Sequence, residues 1–376
     1  TRRSTRPDRG PRPTVQRFIH VGTGGWGRMW SRTFLPHVIR LGLAEPVAAV
    51  DMSEANLAIA REGYGIPEDR CYTDAARAFS ERGAEADFAV VVVPPAHHEA
   101  IIDLALAHGL DILCEKPVAD TMAASARIHA KVTRAGRKMA ITMSHRFDRD
   151  KQTLERLVRS GAYGPVSYIV GRLALNNRKH GDWGDFRHRI KDPLLIEAAV
   201  HQFGIIRGLA GANAKSIYAN GWNPEWGEYA GDSTALAVIE MENGVRAAYE
   251  GSKTNASTMS PWDEEYWRVE CRDGTLELDR RSLRLLVGGP NDLPTSTPIE
   301  LDGDADDAWM NSLLAEQFVR WLDGGPAPET RLEDSIHDTA LTMAAIESAH
   351  TGQVVDVAAY TAEHLAAATE ALGAPR

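Results

Sequence analysis

Apolar and polar positions follow two different patterns along the chain, and the change falls near residue 150. Before it, short apolar runs alternate with helical stretches, and FAVVVVPP at 88–95 is a continuous run typical of a strand buried on both faces. HHEAIIDLALAHGL has a helical period and ends in a glycine suited to a helix C-cap. This alternation predicts an α/β domain with a doubly wound parallel sheet, a Rossmann domain.

The second half begins with one amphipathic helix pattern, KQTLERLVRSG, and continues as longer alternating strands with little helix between them. Two of the junctions between these strands, Asn243-Gly244 and Asp273-Gly274, are dipeptides that favour hairpin turns. We therefore predict that an α+β domain with a large, mostly antiparallel open sheet follows the first domain. The end of the chain returns to helical patterns.

Composition and charge narrow the class of protein. The 376 residues are 43% hydrophobic and 25% charged, as in ordinary globular proteins, and a net charge of −10 argues against a nucleic-acid partner. TRRSTRPDRGPRP at the start is basic and proline-rich with no apolar stretch behind it, which predicts a disordered tail rather than an export signal. Three widely spaced cysteines and the lack of a bilayer-length apolar run predict a cytoplasmic protein without a membrane partner.

A glycine-rich loop follows the first predicted strand. RFIHV runs directly into Gly22-Thr-Gly24-Gly-Trp-Gly27 and then a helical stretch, which is the context in which GxGxxG binds a dinucleotide. We expect Gly22 to allow the tight turn, Gly24 the approach of a pyrophosphate, and Gly27 close packing of helix on sheet. Asp51 ends the second strand and is suited to bind ribose hydroxyls and repel a 2′-phosphate, which favours NAD over NADP. The alternatives are a glycine turn that binds nothing and a helix-capping Asp51.

Lys116 lies where the apolar run 112–114 leaves the sheet, at the edge where open α/β sheets bind ligands. An ammonium group there can donate to a substrate oxygen, and its pKa falls toward neutrality if it is desolvated. We expect Glu115 to position this lysine or to contact the nicotinamide ribose, and Pro117 to fix the turn. The alternative is a solvated Glu–Lys pair at a strand end.

The chain resembles the glucose-fructose oxidoreductase/inositol dehydrogenase/MocA (Gfo/Idh/MocA) family from about residue 16 onward. The resemblance rests on GTGGWG, Asp51, VVVPPAHHEA, CEKP and MSHRF in this order, and on AAIESAHTGQVVDV near the end. It implies an N-terminal domain that binds NAD or NADP, and a C-terminal sheet that forms the substrate pocket and often the subunit contact. It also implies that Lys116 is catalytic in the oxidation of a secondary alcohol of a sugar or cyclitol, or in the reverse reduction.

Residues 192–211 are similar to the family's helix that carries a catalytic histidine, and the resemblance implies that His201 takes the hydroxyl proton. Glu197 lies four residues earlier, on the same face of a regular helix. Gly204 stands where the family often has an aspartate, so Glu197 is expected to supply the carboxylate. The alternatives are that His201 is a packed core histidine, or that it binds a metal with Glu197 and with His180, Asp185 and His188; we predict no metal.

These inferences define the predicted segments and site. The segments are a disordered tail at 1–13, an NAD-binding Rossmann domain at 14–145, a substrate-binding and oligomerisation domain at 146–325, and a C-terminal helix and tail at 326–376 returning toward the Rossmann domain. The catalytic residues are Lys116, His201 and Glu197. The cofactor-binding residues are Gly22, Gly24, Gly25, Trp26, Gly27, Asp51, Pro94, His98, Glu115 and Lys116. The substrate residues are Arg146, His180, Trp183, His188 and His201.

The sequence predicts an NAD-dependent dehydrogenase of a sugar, sugar acid, glycoside or cyclitol, assembled as a homodimer or homotetramer. Two other functions stay open. One is NAD-dependent, redox-neutral glycoside cleavage through a transient ketone, which the loss of the aspartate at Gly204 suggests. The other is a sugar or NAD sensor without catalysis, since fold alone does not determine function.

Overall fold

A computed structural model of the chain describes residues 14–179 and 186–373, so the predicted tail at 1–13 lies outside the described residues. The strands are β1 Gln16–Val21, β2 Ala44–Val50, β3 Cys71–Tyr72, β4 Phe88–Val91, β5 Asp111–Cys114, β6 Met139–Ile141, β7 Val166–Ala174, β8 Ala214–Trp222, β9 Thr234–Met241, β10 Arg246–Ser252, β11 Tyr266–Cys271, β12 Gly274–Asp279, β13 Ser282–Val287, β14 Thr295–Ile299 and β15 Val355–Asp356.

The α-helices are α1 Gly27–Met29, α2 Leu35–Arg40, α3 Glu54–Tyr64, α4 Ala75–Arg82, α5 His98–Ala107, α6 Met122–Ala135, α7 Arg149–Arg159, α8 Phe186–Arg189, α9 Val200–Ala210, α10 Met310–Leu322, α11 Leu332–Thr351 and α12 Val357–Gly373. Two helices contain a π-helical turn. Trp30–Phe34 joins α1 to α2, and Leu195–Ala199 leads directly into α9.

The first six strands form one parallel sheet in the order β3-β2-β1-β4-β5-β6, as the strand–helix alternation predicted. Every residue of β4 is buried, which explains its unbroken apolar run. The strand order reverses between β1 and β4, and open α/β sheets bind ligands outside the carboxyl ends of the strands at such a point. The glycine-rich loop follows β1, so it lies at this position.

The remaining strands form the predicted open sheet, in the order β14-β13-β12-β11-β7-β10-β9-β8-β15. All neighbours are antiparallel except β7 and β10, which run parallel. Both predicted hairpins form: β9 turns into β10 at Gly244, which has a φ of +89°, and β11 turns into β12 at Asp273. The helices α9 and α11 cover one face of this sheet and bury its apolar core.

The end of the chain connects the two sheets. Strand β15 pairs with β8 at the edge of the large sheet, and α12 then packs against α6 of the first domain. Helix α11 contacts both α6 and β8, so the predicted return toward the Rossmann domain is carried by two helices. Among the described residues, no helix has the length and apolar character needed to cross a membrane.

Candidate active site

Three of the four glycines in the loop after β1 are required by contacts that a side chain would disrupt. Gly22 has a φ of +93°, and a Cβ there would lie 2.1 Å from the carbonyl oxygen of Val92. A Cβ on Gly27 would lie 1.9 Å from the carbonyl oxygen of Gly22, which is the expected close packing of helix on sheet. At Gly24 a Cβ would meet Nδ2 of Asn56 at 2.1 Å. Gly24 therefore also makes room for a side chain of the protein.

Asp51 holds this loop in shape from the end of β2. Its Oδ2 accepts hydrogen bonds from the amides of Thr23 (2.9 Å) and Gly24 (3.0 Å). Its Oδ1 accepts from the amide of Ser53 and from Nδ2 of Asn56, both at 3.0 Å. A carboxylate has about four acceptor positions, so ribose hydroxyls must share or replace these bonds.

The same loop offers free donors to a phosphate. The amides of Gly25 and Trp26 form no hydrogen bond with any described residue, and both residues are exposed at the N-terminal end of α1. Free N–H groups at a helix N-terminus, together with the helix dipole, bind anions. Together with the carboxylate at the end of β2, these donors fit the pyrophosphate and adenosine ribose of NAD.

Glu115 is buried and is held by two indole groups. Its Oε1 accepts from Nε1 of Trp26 at 2.9 Å and from Nε1 of Trp30 at 2.8 Å. Burial raises the pKa of Glu115 despite the opposing charge of Lys116 and the indole bonds. The carboxylate thus joins the strand end to the glycine-rich loop, a contact that the sequence did not predict.

The two other residues predicted to contact the cofactor differ in exposure. Pro94 is exposed just after β4, at the ligand edge of the sheet. His98 is fully buried, with its ring nitrogens 2.9 Å from the carbonyl of Val93 and 3.1 Å from that of Val118. The prediction for His98 is wrong, because this side chain fastens two loops together and has no surface to offer a ligand.

Lys116 points from the end of β5 toward the other domain. Its Nζ donates to the backbone carbonyl of Glu197 at 2.6 Å. Desolvation lowers its pKa to about 8, against the attraction of Glu197 and Glu115 and with the repulsion of Arg187 and Lys253. An ammonium group with this pKa populates both protonation states near neutrality.

Glu197 lies in the π-helical turn before α9, and its carboxylate binds two cations. Oε1 is paired with Arg187 and Oε2 with Lys253. Burial alone would raise its pKa, but Lys253, Arg187 and Lys116 lower it to about 2. A carboxylate that pairs with two cations is suited to balance their charge, so its contacts favour charge balance over the predicted proton-handling role.

His201 is buried on the first turn of α9 and stacks on a second histidine. The ring centroids of His201 and His145 are 3.8 Å apart, and the rings are 10° from parallel. Trp262 contacts both rings edge-on. Burial, and then the charges of His145 and Lys116, hold the pKa of His201 well below its usual value, so its ring is neutral. Its Nδ1 is buried without a hydrogen-bond partner among the described residues.

Behind the stacked rings lies a buried ionic network that the sequence did not predict. Nδ1 of His145 is 2.6 Å from Oε1 of Glu265, and Nε2 is 2.9 Å from Oδ1 of Asp263. The other oxygen of Glu265 lies 3.2 Å from Nζ of Lys151. Burial alone would lower the pKa of His145, but the two carboxylates raise it to about 9. Asp263 adopts a φ of +67°, a strained conformation that the surrounding contacts maintain.

The predicted substrate residues are only partly brought together. Arg146 follows His145, yet its guanidinium pairs with Glu155 and Glu329. It also lies where a Cβ on Gly208 would be, seven residues or about 10 Å along α9 from His201, so it does not face the site.

A third predicted substrate residue, His188, lies on α8. The described His188 is buried, with Nδ1 2.8 Å from the carbonyl of Glu228 and its ring stacked on Tyr229 at 4.3 Å. His180 and Trp183 lie outside the described residues. The structure therefore supports a structural contact of His188 rather than a free ligand group.

The surroundings of Gly204 and of Glu197 disfavour an aspartate at position 204 and a metal ion at Glu197. A Cβ on Gly204 would lie 3.2 Å from Cε of Met143 and 3.6 Å from the carboxylate of Asp338, which is paired with Arg207. An aspartate at 204 would therefore meet another carboxylate. The cations that flank Glu197 oppose a divalent ion at that side chain.

Comparisons with known proteins match both domains of the chain to one oxidoreductase family. Residues 17–143 match the family model described as "Oxidoreductase family, NAD-binding Rossmann fold", and residues 156–357 match its "C-terminal alpha/beta domain". The chain is 43% identical over 348 residues to a Sinorhizobium fredii protein named y4oX, covering 91% of this chain and 95% of that protein. It is 26% identical over 372 residues to D-apiose dehydrogenase of Paraburkholderia graminis, covering 96% of each.

A solved structure shares the fold. An oxidoreductase from Agrobacterium radiobacter, in complex with NAD+, L-tartaric acid and magnesium, superposes with a TM-score of 0.78 at 21% identity. The match covers 92% of this chain and 99% of the other. Both sheets and their connection are therefore common to the two proteins.

Proposed function

The chain belongs to the Gfo/Idh/MocA family of NAD-binding oxidoreductases, and we propose that it transfers a hydride between the nicotinamide of NAD and a secondary alcohol carbon of a sugar, sugar acid, glycoside or cyclitol. The observation that carries the proposal is the meeting of Lys116 and the His201 helix at the ligand edge of the parallel sheet, beside the glycine-rich loop. The name of the D-apiose dehydrogenase relative supports a carbohydrate substrate.

In the proposed reaction NAD+ supplies the hydride acceptor, and the side chains handle the proton and the negative charge. Lys116 donates a hydrogen bond to the substrate oxygen and stabilises it as an alkoxide forms. The neutral ring of His201 accepts the hydroxyl proton, since an imidazole held neutral at pH 7 can act as a base. The charge of Glu197 offsets part of the positive charge of Lys253 and Arg187 and so reduces their repulsion of Lys116.

The backbone of Glu197 has a separate role in this proposal. Its carbonyl accepts from Nζ of Lys116 and so fixes the direction of the ammonium group before substrate binds. Such preorganisation of a donor costs no rearrangement during the reaction.

The test is the absorbance of reduced nicotinamide across sugars, sugar acids, inositols and glycosides, with NAD and NADP compared. We expect turnover with NAD that falls at least a hundredfold in kcat in Lys116→Ala, because an interaction formed with the developing oxyanion is lost. Lys215→Ala is the matched control, since Lys215 is an exposed lysine on β8 that pairs with Glu240. An unimpaired Lys116→Ala enzyme would remove Lys116 from the mechanism.

Redox-neutral glycoside cleavage is a second candidate, and the absence of a carboxylate at Gly204 favours it. In that reaction the hydride returns to the substrate, so the cofactor shows no net reduction while a glycosidic bond is broken. Chromatography of the glycoside products distinguishes the two candidates. Cleaved sugar without accumulated NADH would establish this second function.

We propose a homodimer or homotetramer assembled through the uncovered face of the large sheet, in the cytoplasm. Neighbouring strands place Tyr218, Val238 and Ala248 in one row on that face, with Leu236 nearby, and half or more of Val238 and Leu236 is exposed. Exposed apolar patches of this kind mark contact surfaces. Light scattering should show an oligomer that Val238→Lys dissociates, and an unchanged mass would exclude this face.

The unpaired cysteines support the proposed location in the cytoplasm.

A further inference from the structure

The environment of His145 favours a charged ring. Both ring nitrogens lie within 2.9 Å of a carboxylate oxygen, one on Glu265 and one on Asp263. A neutral imidazole has a single N–H, so one of these contacts would bring a nitrogen lone pair against a carboxylate. Nδ1 forms a hydrogen bond with Glu265, whereas Oδ1 of Asp263 lies at ion-pair distance from Nε2 without forming a hydrogen bond. Two carboxylates this close favour the imidazolium over the neutral ring. His145 and Glu265 are almost completely buried, so water does not replace that contact, and the side chain of Asp263 is 28% exposed.

The ring of His201, which stacks on this cation, must in contrast be uncharged. His201 lies parallel to His145 at a centroid distance of 3.8 Å, within a buried environment. A second imidazolium at that distance would be repelled by the first in a medium of low polarity, so His201 rests in the neutral form and does not retain a proton that it receives from the substrate. Stacking of a neutral ring on a cation is favourable, and the edge of Trp262 closes the side of the stack.

We propose that His145 is a positioning residue for the proton transfer, and that its imidazolium, held by Asp263 and Glu265, fixes the plane of His201 and keeps that ring uncharged. The inference rests on the proposed function, in which His201 receives the substrate proton. It explains how a histidine whose helix lacks the family's aspartate is nevertheless held in place. The restraint comes from the face of the ring, since Nδ1 has no partner among the described residues.

The charged groups around His201 come from several elements. Lys116 approaches from the end of β5, and His145 from the 3₁₀ turn at 144–147. On the helices packed against α9, Glu155 of α7 is paired with Arg146, and Asp338 of α11 is paired with Arg207. Within the described part of the chain, the groups that act on His201 are therefore two cations, and His145 is the one in ring contact.

The test is NMR titration of the full-length protein with isotope-labelled histidine rings, which needs no substrate. In the wild type we expect both ring nitrogens of His145 to remain protonated at pH 8, and His201 to remain neutral down to pH 5. In His145→Phe the flat ring is kept but the cation is lost. The midpoint of His201 should then rise by at least one pH unit, a tenfold gain in proton affinity.

A second variant protects the test against misfolding. Asp263→Asn keeps the shape of the loop and leaves Glu265 in place, and it should lower the midpoint of His145 by at least one pH unit. Asp273→Asn is the matched control, because Asp273 is an exposed carboxylate that pairs with Arg272 and should leave both histidines unchanged. A neutral His145 at pH 7, or a His201 midpoint that does not move in His145→Phe, would overturn the inference.

The outcome is independent of whether the substrate panel succeeds. If turnover is found, the acid limb of the pH profile of kcat/KM should move upward in His145→Phe together with the NMR midpoint, and a lower kcat without that movement would indicate a merely structural residue. If no dehydrogenase activity is found but the titrations behave as expected, the ring pair stands and the proposed reaction falls.

Discussion

Gly27→Ala tests whether the junction of β1 and α1 is the cofactor-binding element. The added Cβ would lie 1.9 Å from the carbonyl oxygen of Gly22, whereas an ordinary contact needs at least 3.4 Å. The helix start and the loop must therefore separate by about 1.5 Å, and because both atoms belong to or adjoin backbone, no side chain can absorb the change. Overpacking of this kind costs about 3 kcal/mol at the upper end of its usual range.

The separation should weaken NAD binding as well as folding. It moves the free amides of Gly25 and Trp26 by about half the length of a hydrogen bond. Hydrogen bonds to a charged group contribute about 1.5–3 kcal/mol each, so losing two corresponds to at least a hundredfold weaker binding. Calorimetric titration with NAD+ and a thermal melt of the ligand-free protein measure the two effects separately.

Gly25→Ala is the matched comparison. A Cβ at Gly25 meets nothing within 4 Å, although its φ of +51° costs an alanine about 1 kcal/mol. We expect a small loss of melting temperature and a loss of NAD affinity below tenfold. If Gly27→Ala binds NAD+ within threefold of the wild type, the pyrophosphate does not rest on this junction. Equal losses in both variants would refute the packing argument.

Two further predictions follow from the buried charges. Glu197→Gln removes a carboxylate whose charge raises the pKa of Lys116, so this pKa, about 8 in the wild type, should fall by at least one unit. The pH dependence of Lys116 acylation, read by mass spectrometry, measures the shift, and an unchanged profile would contradict the charge balance. Burial lowers the pKa of His145, but the two carboxylates outweigh it and raise the pKa from 6.5 to about 9. The protonated ring therefore stabilises the folded protein fully below pH 6.5, and this stabilisation is lost as the pH rises through 9. Urea unfolding should show a fall of about 3 kcal/mol that His145→Phe lacks, and equal slopes in both proteins would disprove it.

The sequence was sufficient where function depends on local geometry. The GxGxxG loop and Asp51 could be predicted because the turn, the helix start and the strand end are contiguous or nearly so in sequence. The fold class followed from periodicity, since a strand buried on both faces and a strand with one exposed face differ at every second position. Lys116 could be placed because the end of β5 fixes its position on the sheet edge.

The partners of the candidate site residues could not be predicted because they come from distant parts of the chain. His145 and His201 are 56 residues apart and meet only when the two domains pack together. The adjacent residue, Arg146, was chosen as a site residue instead. In a 3₁₀ turn consecutive side chains point about a third of a turn apart, so the two face different surroundings. Asp263 and Glu265 reach the site from the loop before β11, which no local pattern indicates.

Glu197 shows how a spacing argument depends on a regular helix. A spacing of four residues places two side chains on one face only if the helix is regular, and the π-helical turn at 195–199 breaks that regularity before His201. The carboxylate turns instead to Lys253 and Arg187. The interval between Glu197 and His201 therefore separates two environments: an ion-paired carboxylate and a buried ring stacked on His145.

The two π-helical turns form hydrogen bonds with adjacent residues of one loop, Glu115 and Lys116. The turn at 30–34 begins with Trp30, whose indole donates to Glu115, and the turn at 195–199 contains the carbonyl that accepts from Lys116. A π-helical turn pairs residues five apart, so it cannot continue the regular hydrogen-bond ladder of the α-helix beside it, and such turns are rare outside functional sites. One turn lies in the parallel-sheet domain and the other beside the large sheet. Both domains therefore depart from regular helix at the point where each contacts the loop that carries Lys116, so the position of this loop depends on the packing of both domains.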